Sequence, residues 1–329
     1  MRDYPGEIDR LLLSLEPSVR AAFTEAINRI VTTAELRRVQ DYLDRRDVEG
    51  LLDALNLSPE YFRSIQDAVD AVFYAGAAYQ VSIAASVSSL PFNRRHWAAE
   101  TWARDNGSRL IVEIAETTRQ GVREIVAAGL SSGRSTGAIA RDIVGSVNRA
   151  TGRREGGVVG LTGQQARSVS GARAELHALD AAYFQRKARD RRYDATVRRA
   201  IREGKPLPEK VLNRILSRYS DGLLIRRGDL IARTEAHNAL NAGRYEAMRQ
   251  TAEAAGVGLD AITIKWQATR DRRTRDSHRA LGGKTVGYGE AFVSPLTGAA
   301  MRFPGDRSLG APASEIVHCR CTVSYSIEV

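Results

Sequence analysis

Lysine is scarce in this chain and cysteine scarcer. Lysine stands only at positions 187, 205, 210, 265 and 284 among 49 basic residues, and there are two cysteines, three methionines and three tryptophans in 329 residues. Two cysteines in a chain of this length exclude a disulfide scaffold. No apolar run approaches the ~20 residues that cross a bilayer. The opening MRDYPGEIDR mixes acid and base and leads into no apolar signal-peptide core. Nothing in the sequence addresses the chain to a membrane or a secretory route. Aromatic residues are 6% of the chain, and none interleave with the charges as a base-stacking platform requires. There is no repeat of fixed period and no low-complexity tract.

What is abundant is arginine, and it is unevenly placed. Residues 1–133 hold 15 basic and 19 acidic side chains, residues 134–210 hold 17 and 8, and residues 211–329 hold 17 and 12. Arginine makes forked hydrogen bonds to phosphates and carboxylates. The basic middle therefore reads as a candidate nucleic-acid surface. Its candidate contacts are Arg186, Lys187, Arg189, Arg191, Arg192, Arg198 and Arg199. The competing reading pairs these cations with Asp and Glu on solvated helix faces.

Periodicity predicts helices over most of the chain. Apolar spacing over 7–15 gives a first helix, and Pro17 suits the first position of a second. Residues 60–89 read as one alanine-rich helix broken at Pro91. Ile111, Ile114, Ala115, Thr118, Val122, Ile125 and Val126 form one stripe over 108–129. Ser135 is placed to cap a helix through Ile139 and Ile143. The five glycines of 151–163 suggest a linker. Arginine-rich helices over 163–203, a helix over 209–219 and a long one from Gly228 to Ala255 follow. Beyond Gly258 the period changes to two. Ile262, Ile264 and Trp266 share one face of 261–267, and Cys321, Val323, Tyr325, Ile327 and Val329 share one face of 321–329, as half-buried strands do. The expected fold class is mainly α: an extended helical body with a small C-terminal α+β module. Its expected parts are an N-terminal helical region (1–150), a basic helical region ending in a long helix (151–258) and the module (259–329).

Both cysteines lie in that module, at 319 and 321, with Arg320 between them. A disulfide across one residue closes a ring that ordinary disulfide geometry resists. At the start of a strand the two side chains point the same way, and two thiolates aimed at one point are half of a tetrahedral zinc site. His278 is the natural third ligand, with His318, Asp271 or a water as the fourth. The alternative is a reduced thiol pair with His278 bonded to a carboxylate. Upstream of His278, Asp271 suits an N-cap and Gly282 and Gly283 suit a stop, which predicts a helix of roughly nine residues. The spacing 0, 4, 7 then puts Asp271, Arg275 and His278 on one helix face. In the stretch 230–248, Arg233, His237, Leu240 and Arg244 share one face, while Glu235, Asn238, Ala242 and Tyr245 share another. Such a helix fits a closely docked element whose Arg233 and Glu235 are paired with neighbours; Arg233 meeting Asp271 is one such pairing.

Two motifs fail on inspection. GGKT (282–285) lacks the glycine of a phosphate loop five residues before Gly283, where His278 stands, and GVVGLTG (157–163) has no lysine. A catalytic alternative stays open at this level. His278 and His318 would serve as acid and base beside Arg275, or His278 would activate a thiolate, in a small nuclease or toxin-like transferase module on a helical adaptor.

The ordered string IARTEAHNALNAGRYEAM, KWQATRDRRTRDSHRALGGK, MRFPGD and HCRC, preceded by GRSTGAIARDI and GLTGQQ, resembles the phage Mu F-like head-morphogenesis (minor head) family. The resemblance spans about 200 residues. It places the family motif on Arg233, Thr234, Glu235, Trp266, Asp271, Arg275, His278, Gly282, Cys319, Arg320 and Cys321, with His318 where members often have Asn. It implies a non-enzymatic, few-copy structural protein of a tailed phage or phage-like particle. Such a protein is associated with the portal vertex and acts in capsid assembly and in DNA packaging or ejection. Its implied partners are the portal protein, other head proteins and non-specific DNA, with no membrane and no small-molecule substrate. Its implied location is the head interior or portal vertex of the virion, and the host cytoplasm during assembly. Family motifs are sometimes fused to toxin or transferase domains; eight residues follow Cys321 here, so none is expected in this chain.

Overall fold

The computed structural model describes residues 5–148, 150 and 154–327. Among them the helices are α1 (Pro5–Thr33), α2 (Leu36–Asp44), α3 (Val48–Ala54), α4 (Pro59–Ile83), α5 (Trp97–Ser131), α6 (Thr136–Val144), α7 (Gly163–His177), α8 (Asp194–Glu203), α9 (Glu209–Ala254), α10 (Asp276–Leu281) and α11 (Ala313–Ile316). The strands are short: β1 (Ser146–Val147), β2 (Arg154–Glu155), β3 (Ile262–Gln267), β4 (Thr285–Gly287), β5 (Phe292–Val293), β6 (Ala300–Met301) and β7 (Thr322–Ile327). The fold is mainly α with a small C-terminal strand module.

Local chemistry accounts for several boundaries. Ser135 caps α6, its side chain accepting from the Ala138 N–H, as the sequence predicts. Thr162 and Gln165 close a reciprocal capping box on α7. The α5 stripe is buried at Ile111, Ile114, Thr118, Val122, Ile125 and Val126.

Four expectations are corrected. Pro17 does not open a helix; it lies inside α1. Its cost to the helix ladder is offset by burial of Ile8, Leu12, Val19 and Ala22 on either side. Residues 209–254 form one 46-residue helix rather than two, because Gly222 is used for close approach: a Cβ there would stand 2.8 Å from the Ala188 carbonyl oxygen. The helix over 60–89 ends at Ile83, short of Pro91. The glycine-rich segment is packed rather than free, with Val158, Val159 and Leu161 buried; its residues 151–153 lie outside the described residues.

The chain forms two compact units, each assembled from separated segments. One gathers the described residues of Phe23–Ser64 and Arg109–Gly228. In it Arg227, 5% exposed, donates to the Gly160 carbonyl and the Thr117 hydroxyl. The other gathers the described residues of Met1–Ala22, Ile65–Ser108 and Asp229–Val329. Division by chain order and division by packing therefore differ. In this second unit α4 and α9 meet backbone to backbone. A Cβ on Gly243 would lie 1.9 Å from the Phe73 oxygen, and one on Gly76 would lie 2.3 Å from that of Leu240.

The same unit holds the strand module, a sheet in the order β4-β3-β7 with both pairings antiparallel. Strand β3 pairs with β7 from Ile262↔Ile327 to Gln267↔Thr322. The predicted alternation holds, since Ile262, Ile264, Trp266, Val323 and Tyr325 are buried. Val329, read onto the same face, lies outside the described residues. Trp266 is fully buried, edge-on to the His278 ring at 5.4 Å and to Phe292 at 5.1 Å.

Candidate metal centre

His278, Cys319 and Cys321 come together. One ligand atom from each lies within 4.8 Å of the other two. His278 Nδ1 is 3.4 Å from Cys319 Sγ and 3.5 Å from Cys321 Sγ. The three residues are 1%, 3% and 2% exposed. His278 is carried by α10, the cysteines by the turn entering β7.

The fourth-ligand candidates lie elsewhere. His318 is exposed, and Asp271 is bound bidentately by Arg320 at 2.6 and 2.7 Å. That pair holds the Asp271 carboxyl well below the usual range, chiefly through the Arg320 hydrogen bonds.

The predicted helix from Asp271 is also corrected. The helix α10 begins at Asp276, and Asp271 instead closes a turn by accepting from the Arg273 N–H at 2.9 Å. Asp271, Arg275 and His278 therefore do not share a helix face. Arg275 is the residue before α10 and donates to the Val317 carbonyl. Arg233 does not meet Asp271; it lies 3.7 Å from Glu16, while Glu235 pairs with Arg307 at 2.8 Å.

The turn around Arg320 is built by the loop that follows β3. The Thr269 hydroxyl donates to the Arg320 carbonyl at 2.7 Å, and the Thr274 hydroxyl donates to the Thr269 carbonyl. The Thr269 N–H bonds the Cys321 sulfur and favours its ionised form. Arg320 thus clips the two segments together by its side chain while its backbone aims both sulfurs inward.

Sequence reasoning missed one group of side chains here and gave no partner for a second, the docked face of 230–248. The first is Glu315, 3% exposed in α11. Its Oε2 is 2.9 Å from His278 Nε2 and accepts from the Ser277 hydroxyl at 2.9 Å. The second is the seam of α9 against the module. The His237 Nε2–H donates to the Cys321 carbonyl at 2.7 Å, and Asn241 donates to the Pro304 carbonyl at 3.2 Å. Arg244, with no exposed surface, donates to Thr322 Oγ1 at 2.7 Å and the Val323 carbonyl at 3.0 Å. Positions 237, 241 and 244 fall on one helical stripe. The sequence signal was a run of polar residues at that spacing; it gave no partner.

The two thiols are shifted in opposite directions from the ordinary thiol pKa. Burial pushes Cys319 well up, whereas the hydrogen bond from Cys319, aided by His278, pulls Cys321 down. Burial also lowers His237, keeping it neutral as a donor.

Such a group can do one of two things. Thiolate, imidazole and carboxylate in line is the order of an activated nucleophile, but a nucleophile must be reachable and these atoms are buried. Two sulfurs converging on one imidazole nitrogen, whose ring is braced by a carboxylate, is the order of a closed metal site.

The candidate DNA contacts are divided. Glu175 holds Arg186 at 2.6 and 2.7 Å, Asp194 holds Arg189 at 3.0 Å, and Asp190 holds Arg192 at 2.6 Å. Arg198 lies 3.8 Å from Asp194. Lys187, Arg191 and Arg199 are exposed.

Comparison with known proteins gives the chain's family. Residues 120–324 match the family described as Phage Mu protein F like protein, a stretch that contains the whole His278/Cys319/Cys321 group. The chain is 34% identical over 106 residues to the minor head protein GP7 of Bacillus phage SPP1, covering 32% of each chain. It is 38% identical over 92 residues to an NAD(+)–arginine ADP-ribosyltransferase of Enterococcus faecalis, covering 28% of this chain and 17% of that one. The alignments thus span a third or less of these curated relatives. No solved structure matches. The chain belongs to the phage Mu protein F-like family.

Proposed function

We propose that this chain is a structural minor head protein of a tailed phage or phage-like particle. It sits at the portal vertex, contacts the portal and other head proteins, and acts in capsid assembly and DNA packaging or ejection without catalysing a reaction. Its place is the virion, reached from the host cytoplasm during assembly. The observation that carries the reading is the closure of the metal centre inside the family-matched stretch: all three donors are buried. Three protein donors leave a fourth position for water, but burial of all three keeps a substrate from reaching it. We read the ion as zinc, joining α10 to the start of β7 in a module whose sheets have three and two strands. The transferase reading gains little, because the shared stretch is 17% of that enzyme.

DNA contact belongs to the exposed cations Lys187, Arg191 and Arg199, with Arg198, whose Asp194 neighbour is 3.8 Å away and already held by Arg189, also free to meet phosphate. Binding is then sequence-independent and falls steeply with salt. Random duplex left unbound even at low salt would remove this part of the reading.

Particle fractionation tests the main reading. The polypeptide is expected to sediment with heads, in few copies, and to leave DNA and RNA uncut with or without chelator. A polypeptide found only in the soluble fraction, or one that cleaves nucleic acid, contradicts it.

A further inference from the structure

Zinc held by His278, Cys319 and Cys321 leaves two buried polar groups beside it without a role. Glu315 and His237 are 3% and 4% exposed, and burying such groups is unfavourable unless they are paired. Each is paired with the metal centre itself. An imidazole has two nitrogens, and the group bound to one decides where the other points. Glu315 on Nε2, with its own carboxylate steadied by Ser277, leaves Nδ1 facing both sulfurs. His237 acts on the other side. Its hydrogen bond to the Cys321 carbonyl fixes the peptide from which that sulfur projects. Its ring is in turn confined by Gly305 of the docked MRFPGD loop, where a Cβ would lie 3.2 Å from His237 Nδ1.

Resting on the zinc reading above, we propose that Glu315 and His237 are positioning residues of the His278/Cys319/Cys321 centre. Glu315 orients the imidazole and His237 orients the Cys321 strand entry, so that the site selects a thiophilic divalent cation. Two sulfurs and one nitrogen, with no hard oxygen donor among them, suit zinc and exclude magnesium and calcium.

The test uses the full chain. Zinc affinity is measured by chelator competition, and Co2+ replaces zinc to report geometry through its sulfur-to-metal charge-transfer and ligand-field absorption. Wild type is expected to bind one Zn2+ or Co2+ per chain and to ignore excess Mg2+ and Ca2+. Glu315→Ala is expected to weaken zinc by about 10–100-fold and to shift the cobalt ligand-field bands. Glu315→Gln, which keeps an oxygen beside Nε2, is expected to restore most of the affinity. His237→Gln, which keeps a donor for the Cys321 carbonyl, is expected to bind more tightly than His237→Ala. Should Glu315→Ala fail to fold, Ser277→Ala removes the carboxylate's other partner without touching the imidazole, and a weaker, spectrally shifted site is expected there. Wild-type affinity and spectrum in Glu315→Ala, or in Ser277→Ala if that is the variant that folds, overturn the positioning role while the zinc reading stands. A wild-type chain that binds neither Zn2+ nor Co2+ overturns both.

Discussion

Replacing Arg244 should loosen the module from α9. Its guanidinium is fully buried and donates to Gln80 Oε1 at 3.2 Å, Thr322 Oγ1 at 2.7 Å and the Val323 carbonyl at 3.0 Å. It also lies 5.8 Å and 5.5 Å from the ring centroids of Tyr79 and Tyr325. Hydrogen bonds from a charged donor are worth about 1.5–3 kcal/mol each. The gross loss is partly offset, because the mutant no longer buries a charge. What stays uncompensated is the bond lost at the Val323 carbonyl and at the buried Gln80 Oε1, and the space of the side chain. Emptying a fully buried site and orphaning its acceptors typically costs about 2–5 kcal/mol, and we expect Arg244→Ala in that range. Arg244→Met keeps the volume and loses the donors, so it should cost about 1–3 kcal/mol for the orphaned acceptors. Urea denaturation gives the total, and hydrogen exchange of the β7 amides locates it. An Arg244→Ala chain within 1 kcal/mol of wild type, with β7 protection unchanged, would refute the seam as a source of stability.

Two other outcomes follow from named contacts. The Asp271 carboxyl is depressed by Arg320, so its contribution is present above the unfolded carboxylate pKa of about 3.9 and is lost as pH falls below it toward the folded value. Asp271→Asn should therefore melt lower than wild type at pH 7, with the gap closing as pH is taken well below 4; a gap independent of pH would contradict the pairing. His318 has φ 59°, a left-handed conformation that costs most side chains about 1–2 kcal/mol and that Asn tolerates better. His318→Asn should raise the melting temperature, and a lower one would mean that the imidazole makes a contact worth more than the strain.

The elements that proved legible are those in which one physical effect dominates. Period-two burial placed β3 and β7, because one face of each meets the core. Ser135 was legible as a cap because its role is local. The convergence of His278 with Cys319 and Cys321 followed from the pairing of β3 with β7 and from two side chains two residues apart. Partners at long range were not legible. Asp271 had several arginines within reach of its loop, and only the fold selects Arg320. Glu315 is one carboxylate among many in the sequence; what marks it is burial, which no period reveals in a four-residue helix. The continuity of α9 was hidden by Gly222 and Gly228, since a glycine that permits close packing looks the same in sequence as one that ends a helix.

The central claim is that the buried His278/Cys319/Cys321 group is a metal centre that holds the C-terminal module together. Elemental analysis of the chain purified without chelator, beside His278→Ala and Cys319→Ser/Cys321→Ser, tests it most directly. The account predicts one zinc per wild-type chain and almost none in the variants. Wild type as free of metal as the variants would contradict it.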